Sequence, residues 1–135
     1  MARAKDLCPV VQVGIRSMDS IELPNIKNDR VFFAHQIRKD PYWANKVVEK
    51  LTKNVYLTID LDGFDPSVLP ATGTPEPGGL YWFEVIDFLQ KVIQKTNLVG
   101  FDVVELCPDG SNKASDFLAS KLIYKILSLK YENNI

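Results

Sequence analysis

The chain reads as an α/β protein, a parallel sheet with flanking helices. Three observations predict this. From residue 31 onward, short β-branched or aromatic runs alternate with segments of helical apolar spacing in the order β-α-β-α-β-α, as in parallel strands joined by crossover helices. The run Val55–Ile59 is apolar nearly throughout, as expected of a strand covered on both faces. With 135 residues, 46% hydrophobic and 24% charged, the chain has the size and balance of one globular domain.

Taken in order, the start places basic residues before an apolar run. Asp6, Pro9 and Gln12 interrupt that run and no small-residue cleavage site follows, so a strand over Pro9–Ile15 is a better reading than a leader. Ser17–Arg30 is polar, contains Pro24 and reads as a loop. Val31–Ala34 is a second strand. Asp40-Pro41 predicts a helix start, with the acid as N-cap and proline at the first helical position; Trp43, Val47 and Leu51 then form one apolar face.

The third strand, Val55–Ile59, is followed by a long loop, Asp60–Gly79. A helix runs from Trp82 to Gln94, its apolar stripe being Trp82, Val85, Ile86, Leu89 and Ile93. Leu98–Val104 is the fourth strand. After a polar loop, Ser115 or Asp116 caps a last helix carrying Leu118, Leu122, Ile126 and Leu129 along one face. No repeat or linker interrupts the series, which gives one domain over residues 1–135. Three helices cover a four-stranded parallel sheet thinly, so the chain reads as part of a larger α/β domain.

Composition excludes several classes. A formal net charge of -1 offers no electrostatic reason to bind nucleic acid or an anionic membrane. The most apolar stretch, Phe117–Leu129, is broken by Lys121 and Lys125 and is too short to span a bilayer. Cys8 and Cys107 form no CxxC pair; their apolar surroundings predict buried, reduced thiols and a cytoplasmic protein.

The chemistry concentrates after the third strand. In open α/β sheets, ligands bind beyond the carboxyl ends of the strands. Asp60 and Asp62 lie there. On an extended backbone they would project to one side with Cα atoms roughly 7 Å apart, a spacing suited to two cations about 3.5–4 Å apart. The plain alternative is a polar turn closing a strand. Asp65 precedes Pro66 and reads as a turn former. Residues 70–79 then pack three prolines and three glycines into ten positions, a stiff loop that reads as a pocket wall or as a rigid connector.

The run Thr58-Ile59-Asp60-Leu61-Asp62-Gly63-Phe64-Asp65-Pro66, followed by Thr72-Gly73-Thr74-Pro75-Glu76-Pro77-Gly78-Gly79-Leu80, resembles the ureohydrolase signature of arginases and agmatinases. The Pro-Glu-Pro-Gly-Gly form is nearer to agmatinases. Val11–Ser17 and Gly100–Glu105 match the same pattern in the same order, so the resemblance covers nearly the whole chain. It implies an arginase-like three-layer α/β/α fold, of which this chain is the C-terminal portion. It also implies a binuclear manganese (Mn2+) site whose activated water attacks a guanidinium carbon, releasing urea and an amine, with agmatine as the expected substrate and putrescine as the product.

By the resemblance, Asp60 and Asp62 are metal ligands. Glu105 holds the substrate guanidinium through paired N–H bonds, and Thr74 lies near the substrate. From the residues alone, Glu105 reads as a solvated strand-end acid, Thr74 equally as a turn hydroxyl, and Asp102 as structural. No catalytic residue is assigned. The expected partners are a small guanidino substrate and, for the full-length form, further copies in a homo-oligomer, with no nucleic acid and no membrane.

The family's histidine ligands belong to segments of Gly-Gly-Asp-His and Asp-Ala-His-x-Asp type in its N-terminal half, which this chain does not contain. Its single histidine, His35, matches none of them and reads as a surface or turn residue. Two metal ions need about six protein ligands or more. The expectation is therefore a longer protein in which Met1 is internal, exposed by truncation, gene interruption or a misplaced start codon. Two competing readings stand beside this one. The first is a haloacid-dehalogenase-type phosphatase, in which Asp60 would be the nucleophile beside Mg2+. The second is a non-catalytic remnant of a ureohydrolase.

Overall fold

The computed structural model describes residues 2–26 and 29–132. The order is α1 (Ala2–Leu7), β1 (Gln12–Ile15), β2 (Val31–Phe33), α2 (Ala34–Ile37), α3 (Trp43–Val48), β3 (Asn54–Asp60), α4 (Trp82–Lys95), β4 (Asn97–Val104) and α5 (Ala114–Tyr131). Short 3-10 turns occupy Ser20–Asn25 and Leu61–Gly63. The first lies in the expected loop Ser17–Arg30, of which positions 27 and 28 fall outside the described residues.

The strands are parallel, as the alternating pattern predicts, but they form two pairs rather than one sheet. β1 pairs with β2 and β3 with β4, and no ladder joins the pairs among the described residues. Strands β1 and β2 are only four and three residues long, whereas β3 and β4 run in register from Asn54–Asn97 to Asp60–Val104 with one shift after Val55.

The helices α4 and α5 pack on the inner face of the β3–β4 pair. Leu57, Ile59, Phe101 and Val103 meet a core that includes Val85, Leu89, Leu122 and Ile126. A second cluster, Ala44, Val47, Phe88 and Val92, joins α3 to α4, with the Trp43 and Phe88 rings 4.9 Å apart. The outer face is open, contrary to the expectation that Val55–Ile59 is covered on both sides. Tyr56, Thr58 and Asp60 alternate outward. Two of them carry polar tips that suit water: Tyr56 Oη and Thr58 Oγ1 donate to Asp102 at 3.0 and 2.6 Å.

Several boundaries differ for local reasons. A helix, α1, precedes β1, and the strand expected over Pro9–Ile15 begins at Gln12. Asp40 does not cap α3. Its carboxylate accepts from the Tyr42 N–H at 3.0 Å and pairs with Lys46 at 2.6 Å, and the helix starts at Trp43. On α5, Ser115 is buried and accepts from the Ala71 N–H, while Asn112 Oδ1 accepts the Ala114 N–H at 2.9 Å. Both cysteines are exposed, so the expectation of buried thiols is wrong: Cys8 follows α1 at the surface and Cys107 lies in the segment past β4, neither in a strand interior. No helix among the described residues is long and apolar enough to cross a membrane.

Candidate metal centre

Strand β3 delivers Asp60 as its last residue, and the chain then folds into the Leu61–Gly63 turn instead of continuing extended. The turn forms because Asp60 Oδ1 accepts the Asp62 N–H at 2.9 Å, a capping bond, while Leu61 is fully buried and anchors the turn in the core. The two carboxylates therefore share a strand end, as expected, but a capped turn relates them rather than an extended i, i+2 backbone.

Asp62 is held from the rim loop. Thr74 Oγ1 donates to Asp62 Oδ2 at 2.6 Å and the Thr74 N–H to Oδ1 at 3.3 Å. The Thr72 hydroxyl, buried, faces the same carboxylate without closing a geometric hydrogen bond. The electrostatics of the two acids diverge. Desolvation raises the pKa of Asp60, and the neighbouring negative charge of Asp62 adds to the rise. At Asp62 desolvation also opposes ionisation, but the threonine contacts and the positive charge of Arg16 outweigh it and lower the pKa.

The rim loop, which includes the Pro-Glu-Pro-Gly-Gly run, is fastened along its length. Asp65 Oδ1 accepts from the Ser67 N–H and Oδ2 from the Gly78 N–H, both near 3 Å (3.0 and 2.9 Å), which makes Asp65 the turn former its sequence predicts. Gly78 has φ +82°, and a Cβ at Gly79 would lie 2.4 Å from the Phe64 carbonyl carbon, so this stretch needs glycine. Arg38 donates to the Gly79 carbonyl, pairs with Glu84 at 2.6 Å and stacks over Tyr81. At the other end, Arg16 reaches the carbonyls of Asp62 and Glu76, both at 2.6 Å. Arg16 lies in the Val11–Ser17 run that resembles the family pattern, but the partners of neither arginine are legible in the sequence, because they include main-chain carbonyls that any residue supplies.

Glu105 lies just past β4, whose last residue, Val104, pairs with Asp60. A bridge between Thr72 and Leu106 and the bond from the Cys107 N–H to the Ala71 carbonyl at 2.9 Å bring this segment against the rim loop. Glu105 is exposed and has φ +66°, a positive φ that is sparsely populated for non-glycine residues and costs about 1–3 kcal/mol. Such strain is found at functional sites. His35 sits in α2, stacked on Phe33, and not at this strand end. Among the described residues, no group of three or more His, Cys, Asp and Glu side chains is placed to hold a metal ion. The oxygen donors of Asp60 and Asp62 fit a hard cation in type, but two carboxylates fall short of a complete two-metal shell.

A sequence model of the Arginase family matches residues 1–128. The N(1)-aminopropylagmatine ureohydrolase of Thermus thermophilus is 41% identical over 124 residues, covering 90% of this chain and 42% of the relative. That of Synechocystis sp. is 38% identical over 122 residues, covering 88% of this chain and 40% of the relative. The solved agmatine ureohydrolase of Thermoplasma volcanium superposes with a TM-score of 0.81 at 32% identity, covering 98% of this chain and 47% of that one. The proclavaminate amidino hydrolase of Streptomyces clavuligerus gives 0.76 at 32% identity, over 89% of this chain and 42% of that one. This chain thus spans less than half the length of each of these relatives.

Proposed function

Because the chain belongs to the arginase family, we propose that it is the C-terminal part of a ureohydrolase domain and supplies the carboxylate side of a binuclear manganese site. The observation that carries this reading is the capped Asp60–Asp62 turn, braced by Thr74 at the carboxyl end of β3. The family match favours it over the haloacid-dehalogenase alternative, which accounts for neither the rim loop nor Glu105.

In this reading Asp60 and Asp62 hold manganese, which when bound activates water for attack on a guanidinium carbon. This chain's own contributions are to orient Asp62 through Thr74, to keep Asp62 ionised, and to present Glu105 to the planar guanidinium by paired hydrogen bonds. Thr74 lies near the substrate while its hydroxyl stays on Asp62. The remaining ligands, and with them activity, come from the histidine-bearing half of the domain. Alone, the chain is inactive.

Agmatine, cleaved to putrescine and urea, is the proposed substrate, in a cytoplasmic homo-oligomer. A longer substrate with the same guanidine head, N(1)-aminopropylagmatine, is the second reading, favoured by the names of the two relatives described above. The test joins this chain to the histidine-bearing part of the Thermus thermophilus relative and measures urea release with Mn2+ from both amines. Activity on agmatine is expected, falling at least about 100-fold in Asp62→Asn. Activity that survives Asp60→Asn with Asp62→Asn would overturn the reading.

A further inference from the structure

We propose that Arg16 is a positioning residue for the carboxylate pair, acting through main-chain carbonyls of both loops that carry the site. Arg16 follows β1 directly. Its Nη2 donates to the carbonyls of Asp62 and Glu76 at 2.6 Å each and of Phe64 at 3.2 Å. Nε donates to Glu76 at 3.0 Å and Pro77 at 3.2 Å, and Nη1 to Gly14 at 3.4 Å. One planar group thus ties the acidic turn, the rim loop and the end of β1 together.

The arrangement closes a ring. Thr74, two residues before Glu76, grips the carboxylate of Asp62 from the front while Arg16 grips its carbonyl from behind. Two carboxylates two residues apart repel each other, and a cation directly on them would occupy the oxygens a metal needs. Arg16 spends its donors on carbonyls, so it fixes the turn and leaves the carboxylate oxygens available. A lysine would keep the charge but lose the fixed fork of donors, since its ammonium is a point charge on a flexible stem.

The purpose assigned to the clasp rests on the metal reading above, but the clasp itself is tested without metal. Amide hydrogen exchange is compared between this chain, Arg16→Lys and Arg16→Gln. In both variants the amides of Asp62, Thr74 and Gly78 are expected to exchange about tenfold faster or more, while amides of α4 and of the β3–β4 ladder keep parent rates. Three outcomes overturn the proposal: unchanged loop amides, equal acceleration throughout the chain, or parent rates in Arg16→Lys, which would show that charge alone suffices. Arg16→Gln carries the same comparison if Arg16→Lys folds poorly. Adding Mn2+ to this chain joined to the histidine-bearing part of the Thermus thermophilus relative, and reading paramagnetic broadening at these amides, separates the two claims, because broadening absent from the joined protein would count against the metal reading and leave the clasp standing.

Discussion

Asp65 fastens the rim loop through its ionised carboxylate. Hydrogen bonds from the Ser67 hydroxyl and N–H, then from the Gly78 N–H, lower its carboxyl to about 2 from an ordinary 3.8. A depressed carboxyl stabilises the fold above its ordinary value, and that contribution is lost as pH falls through the depressed one. Protection of the Ser67 and Gly78 amides should therefore persist at the ordinary value of 3.8 and disappear towards about 2. Asp65→Asn should remove this pH dependence; hydrogen exchange across the range checks it. At this scale the sequence was informative about residue type and poor on geometry. The Asp60-Leu61-Asp62 spacing and the turn chemistry of Asp65-Pro66 are visible in the letters. The capped turn is not, because it depends on Leu61 being drawn fully into the core. The strained backbone of Glu105 leaves no trace in residue type either.

Among the elements, periodicity locates part of the buried face of both α4 and α5. The stripe predicted for α4 includes Val85 and Leu89, both buried, and misses Phe88, whose ring packs against Trp43 of α3. On α5 the predicted stripe includes Leu122 and Ile126, both buried, and Leu118, packed against the same core, while the small residues Ser115 and Ala119 are buried as well and let the helix approach the loop at Ala71. Leu122→Ala should cost about 2–5 kcal/mol, as Leu122 is completely enclosed. Phe117→Ser, at a side chain 72% exposed, should stay within about 0.5 kcal/mol. Gly79→Ala forces a carbon against the Phe64 backbone and should cost at least about 1–3 kcal/mol. Denaturant unfolding of the three variants tests the ranking. Of these, only the glycine is conspicuous in the sequence, through its Pro-Gly-Gly context, while the enclosure of Leu122 requires the tertiary packing.

For the whole molecule, the parallel class and the thin cover were legible from the order of elements, and the division into two strand pairs was not. Pairing depends on which edges meet, and an alternation of β and α segments does not encode that. The outer face of β3–β4 exposes Tyr56 and Val99 at 60% and 57%, on a type of sheet ordinarily covered on both faces. The isolated chain is expected to self-associate through this face and the free strand edges. Tyr56→Lys with Val99→Lys should shift it towards monomer in sedimentation; an unchanged oligomer would place the contact elsewhere.

The central claim, that this chain holds only the carboxylate side of a two-metal site, is tested most directly by calorimetric titration of Mn2+. The chain alone and the chain joined to the histidine-bearing part of a relative are compared, with Asp60→Asn plus Asp62→Asn as the blank. The account predicts essentially no tight binding by the chain alone and two ions in the joined protein, lost in the blank. Two manganese ions bound tightly by the chain alone, or two ions retained in the blank, would contradict it.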